Sequence, residues 1–141
     1  MDDFYLYLYC GDSLATHVNN HAGDFLVDLP KSYRIQGQWE CALTEITFVS
    51  QLERLTQRIY VCCDLADQSY VKETSLPVLR SIDVDADEKV DLIFNPPHYL
   101  KVNRQDLSRI QIFIRDDELN PCRFKIDRLY CTLHFRRRWG A

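Results

Sequence analysis

Asp12, Ser13 and His17 are the residue types of a nucleophilic hydrolase: a carboxylate to orient, a hydroxyl to attack and an imidazole to take its proton. Here they crowd into one turn-rich stretch, with no nucleophile elbow and no glycine-rich oxyanion segment. The stretch is therefore predicted to be a solvent loop and the chain not to be an enzyme. His17 and His21 stand four apart, as zinc ligands on a helix do, but Asn19, Asn20 and Gly23 disfavour a helix and HEXXH is absent. Asp83, Asp85 and Asp87 have EF-hand spacing. The position that wants glycine holds Glu88, and the position that wants a bidentate glutamate holds Phe94, so this reads as a solvated acidic turn. Neither a P-loop nor GxGxxG occurs. No metal and no cofactor are expected.

The six cysteines (Cys10, Cys41, Cys62, Cys63, Cys122 and Cys131) form no CxxC pair and read as free thiols filling apolar space. The opening MDDFYLYLYC lacks the basic start and apolar run of a signal peptide. No stretch approaches the ~18 apolar residues of a membrane helix. The expected place of the protein is inside a cell, or inside a particle assembled there.

The formal net charge is −4. From Pro121 onward, Arg123, Lys125, Arg128, Arg136, Arg137 and Arg138 face one acid, Asp127, which makes that part +5 and leaves −9 on the remainder. A dipolar molecule able to stack on its own copies is the expectation. In the closing RLYCTLHFRRRWGA, His134 reads as a semi-exposed strand residue. Arg136, Arg137 and Arg138 with Trp139 could grip single-stranded nucleic acid. The acidic balance of the whole chain argues against that as the first reading.

These residues must sit on strands. Period-two alternation recurs in FYLYLYC, DFLVDLP (closed by Pro30), GQWECALTEITFV, RIYVCCDL, VLRSIDVD, KVDLIF, HYLKVN, RIQIFIRD and RLYCTLHFRR. Turn signals such as NNHAGD, DDELNP and NPP separate many of them. Only SQLERLTQR and NRQDLSR suggest brief helices. Trp39 shares a face with Cys41 and Leu43, just after the turn at Gly37, and reads as a core anchor. Leu129, Cys131, Leu133 and Phe135 align in the last strand. About eight or nine strands in 141 residues predict one all-β, antiparallel sandwich or barrel domain.

LPKSYRIQGQWECALTEITF, followed by YVCCDL and LPVLRSI, and later RIQIFIRDDELNPCRFKIDRLYCTLHFRR, resembles the penton-like minor capsid proteins of Polinton (Maverick) elements and adintoviruses. The match runs in order from about Phe4 to Arg138. It centres on Trp39-Glu40, Leu43 and Glu45-Ile46 together with Leu133-His134-Phe135-Arg136-Arg137. Asn120 and Asp127 stand where that family has glycines; both residue types tolerate left-handed backbone. The resemblance implies a single jelly roll spanning residues 1–141. It implies a non-enzymatic vertex subunit that forms homopentamers at the five-fold axes of an icosahedral virion, beside a double-jelly-roll major capsid protein. Engagement of a fibre or receptor is left open. A five-fold ring needs a patch that meets a different patch on its neighbour. The expected contacts are Arg136, Arg137, Arg138 and Trp139 against acids such as the Asp83–Glu88 loop or Asp116, Asp117 and Glu118. Trp39, Leu43, Leu133 and Phe135 are expected in the core. The alternative function is a β-sandwich nucleic-acid module using the C-terminal Arg/Trp cluster.

Overall fold

The computed structural model describes residues 2–138, so Trp139 lies outside the described residues. Alternating sequence becomes strand almost throughout: β1 (Asp3–Tyr9), β2 (Asp24–Arg34), β3 (Trp39–Val49), β4 (Arg58–Cys63), β5 (Ser69–Val71), β6 (Thr74–Leu76), β7 (Val78–Asp83), β8 (Lys89–Ile93), β9 (Leu100–Lys101), β10 (Asp106–Arg115) and β11 (Leu129–Arg137). One sheet runs β1-β11-β3-β8, with β9 also on β3; the other runs β2-β10-β4-β7; β5 and β6 form a small hairpin. All pairings are antiparallel. Position by position, the two orders join sequence neighbours: β1 with β2, β11 with β10, β3 with β4, β8 with β7. At one flank Phe4 of β1 stacks on Tyr33 of β2, with ring centroids 5.0 Å apart. At the other, Arg80 of β7 lies over Phe94, just past β8. Strands that cross between two sheets in this order make a jelly roll.

Between the sheets lie Phe25, Phe48, Phe135, Leu43, Leu133, Ile110, Ile112 and Ile114, with Trp39 at one end of the core. Apolar residues alternate inward because successive strand side chains point to opposite faces. All six cysteines are buried and free. Burial pushes the thiols of Cys41, Cys62, Cys122 and Cys131 up to about 12.

The local departures have simple causes. SQLERLTQR and NRQDLSR are not helical. In the first, Leu52 is buried and bridges Phe124, while Leu55 is exposed. In the second, Asp106–Arg109 opens β10, and the pairing with β2 shifts between Leu107 and Arg109. That irregularity puts buried Leu107 and Ile110 three apart, which imitates a helical spacing. Pro30 does not close β2, which continues to Arg34. β2 is the edge of its sheet, where a missing N–H is tolerated. The left-handed residue of the turn after β10 is Leu119 (φ 67°), not Asn120, and Asp127 instead accepts the Ala22 N–H.

Candidate interaction site

The connections fall at two ends of the sandwich. At one end, residues 10–23, 50–57, 84–88 and 116–128 are tied by the bonds Ala22 N–H to Asp127 Oδ1, Ser50 N–H to Glu88 O, Glu53 N–H to Arg123 O and Val84 N–H to Gln57 O. At the other, residues 35–38, 64–77 and 94–105 meet the start of β1 and the end of β11, through Ile35 N–H to Gln105 O, Asn103 N–H to Leu65 O and Arg138 N–H to Gln38 O.

This arrangement divides the basic C-terminal run that the sequence presents as one charged end. Arg123, Lys125 and Arg128 precede β11, while Arg136 and Arg137 end it and Arg138 follows directly. A strand of nine residues separates the two groups by roughly 30 Å. Three of the six C-terminal cations therefore lie among the acidic loops, and three lie at the far end.

That far end is a corner built on β1, β3, β11 and the loop before β9. Arg136 pairs in register with Glu40 of β3 and donates Nε–H to its carboxylate at 2.6 Å. Its guanidinium also lies 3.4 Å over the Tyr99 ring. Arg138 Nε is 3.5 Å from the other oxygen of Glu40. The Arg137 guanidinium lies 5.6 Å from the ring centroid of Trp39. The arginines therefore do not leave the domain as unmet like charges; Glu40 lies between two of them. Beside them His134 is buried, not semi-exposed, with Tyr99 OH 2.7 Å from Nδ1, Asp3 Oδ2 3.0 Å from Nε2 and the Tyr5 ring stacked at 4.4 Å. Burial raises the Tyr99 phenol, against the lowering pull of Arg136. Sequence alternation placed Arg136 and Glu40 on strands. It carried no sign of Asp3 or Tyr99, which reach the corner from an edge strand and a loop.

The acids expected opposite the arginines divide. Asp116 is buried, and its Oδ1 accepts the N–H groups of Glu118 and Asn120, so it closes its own turn and offers no surface charge. Asp117 is half-buried, and exposed Glu118 pairs with Arg54 at 2.8 Å. In the 83–88 loop, Asp83 pairs with Arg58, while Asp85, Asp87 and Glu88 are exposed.

The hydrolase-like residues are each committed to other partners. Ser13 Oγ accepts the Asp28 N–H, His17 Nε2 meets Asp28 at 3.0 Å, and Asp12 accepts the Tyr9 N–H. His21 Nδ1 accepts the Gly23 N–H, and burial lowers its imidazole. Among the described residues, no group of three or more His, Cys, Asp or Glu is placed to hold a metal ion. No described helix is long and apolar enough to cross a membrane.

By fold the chain is an all-β jelly roll, with a corner of arginine, aromatic and carboxylate groups at one end. Compared with protein-family models and with curated proteins, the chain matches none.

Proposed function

We propose that this protein is a structural capsid subunit, a penton-like minor protein that assembles in five copies at the vertices of an icosahedral particle. The observation that carries the reading joins sequence to register. The two phrases most like the penton family, Trp39–Ile46 and Leu133–Arg137, are hydrogen-bonded neighbours: Trp39 pairs with Arg137, Glu40 with Arg136, Cys41 with Phe135 and Leu43 with Leu133. Residues far apart in the chain thus form one continuous patch, with core on one side and the arginine corner on the other. The jelly-roll fold supports the same reading, since such sandwiches pack side by side in capsids.

In this reading the protein works by shape and self-association in the virion, without chemistry. Its neighbours are four further copies and a double-jelly-roll major capsid protein. Arg136 and Arg138 at one end, and Asp85, Asp87, Glu88, Asp117 and Glu118 at the other, remain the charged contact candidates. Sedimentation and native mass measurement test the proposal. A species at five times 16.7 kDa, alone or with the major capsid protein, is expected. A chain that stays monomeric with that partner present overturns it.

One observation favours a second reading, a nucleic-acid module. At the same end, a cleft of about 320 Å³ is lined by Phe4, Lys31, Tyr33, Arg34, Trp39 and Arg137, a mixture of aromatic and cationic groups. Binding of a short single strand that falls steeply with salt would favour this reading over the first.

A further inference from the structure

Tyr7, Thr132 and Glu45 form one cross-strand row on the outer face of the β1-β11-β3-β8 sheet, since Tyr7 pairs with Thr132 and Thr132 with Glu45. Two strand spacings put the backbones of Tyr7 and Glu45 roughly 10 Å apart. The side chain between them is short. Thr132 is buried, and its hydroxyl donates to Glu45 Oε1 at 2.9 Å. The row therefore sinks at its centre into a trough of about 490 Å³, with Tyr7 on one wall and Glu45 on the other. The next row contributes Tyr9 and Tyr130, whose rings stack at 4.5 Å and close one end. Asp12 also lines the trough. Tyr7 is 74% exposed.

The charge of the trough is one-sided. Its two carboxylates are Asp12 and Glu45, and among the described residues no cation lines it. Beyond the Tyr9–Tyr130 pair the adjoining basin reverses the sign, with Lys89 and Arg128. Tyrosine faces are electron-rich and attract cations, and a carboxylate in the same site adds its own Coulomb attraction. A flat guanidinium can lie against a ring while its N–H groups reach a carboxylate; a rounded ammonium does this less well.

We propose that this trough is a docking site for an arginine side chain presented by a partner polypeptide. The guanidinium lies along Tyr7, against the Tyr9–Tyr130 wall, and donates to the Glu45 oxygen that Thr132 leaves free. The site lies one outer row from the arginine corner, where Tyr5, 6.4 Å from the Tyr7 ring, stacks on His134, and it does not depend on the capsid reading.

The test uses the whole chain, with NMR of its tyrosine rings during titration with an acetylated, amidated Gly-Arg-Gly peptide. The control peptide carries citrulline, which has the same shape without the charge. Saturable shifts are expected on Tyr7 and Tyr130, with binding about three- to tenfold weaker for citrulline, for Glu45→Gln and for Tyr7→Ser. Both substitutions are at exposed positions, and unchanged backbone spectra will show that each variant folds. Equal binding of the citrulline peptide overturns the proposal. So does an arginine response that both variants leave intact, or no ring shift at all. A neutral disaccharide that produces the same shifts would reassign the trough to saccharide and overturn it as well.

Discussion

Trp39 sits where the sheet's core meets the arginine corner. It is 4% exposed, donates Nε1–H to the Gln36 carbonyl at 2.9 Å and packs against Phe4. Trp39→Ala removes that bond and opens a hole between β1 and β3. A loss of about 3–5 kcal/mol is expected from denaturant unfolding, as for other large core truncations. A change under about 1 kcal/mol would show that the ring does not hold the core. The cysteines give a second prediction at this scale. Burial raises the thiols of all six, and a protonated, covered thiol reacts slowly. Alkylation at neutral pH without reductant should label the folded chain only as it opens, and should reach six labels in denaturant. Two or more native disulfides in the mass spectrum would contradict this.

Among the elements, β2 and β10 are pinned together outside the core by Asp28. Its carboxylate accepts from Arg109 Nε at 2.7 Å and lies 3.0 Å from His17 Nε2. The hydrogen bond from Arg109, then that from His17, holds the Asp28 carboxyl below the usual carboxylate value. A lowered folded value means that the contribution is present above about pH 4, the ordinary carboxylate range. It is lost as pH falls through the lower folded value. Asp28→Asn should therefore destabilise the protein at pH 7, and the gap from wild type should narrow towards pH 3. Urea unfolding at the two pH values checks this; a gap that stays constant would put the group's role outside its charge. β3 shows how an element adapts. Its buried phase changes from Trp39, Cys41 and Leu43 to Ile46 and Phe48, and the register with β11 shifts there, leaving Thr44 as the extra residue. The Thr44 hydroxyl donates to the Thr132 carbonyl at 3.2 Å, across the irregularity.

For the whole molecule, the arginine corner is where folding meets the proposed assembly. Replacing Arg136, Arg137 and Arg138 by serine removes both cations from Glu40 and uncovers Tyr99. These are partly exposed pairs, so each is worth only ~0–1 kcal/mol. The domain is expected to remain folded by circular dichroism with a lowered midpoint. If the proposed capsid role holds, its association with neighbouring subunits will weaken in sedimentation, and raised salt will have a similar effect. A variant that assembles like wild type would remove the corner from the contact surface. A variant that does not fold would assign the arginines wholly to the domain's interior balance.

The all-β class and the core residues Trp39, Leu43, Leu133 and Phe135 were legible in the sequence, because a half-buried strand writes its inward face as every second residue. The β5–β6 hairpin was not, since SYV and TSL present no buried face to alternate. Of the arginine corner, the sequence showed the cations and the strand that carries them. It could not show that Glu40 lies beside Arg136 or that Asp3 and Tyr99 enclose His134. Those contacts join residues up to 131 positions apart, and sheet order, not local pattern, brings them together. The same order divided a basic C-terminal run between opposite ends of the molecule, because a strand extends its neighbours in sequence to their full separation in space.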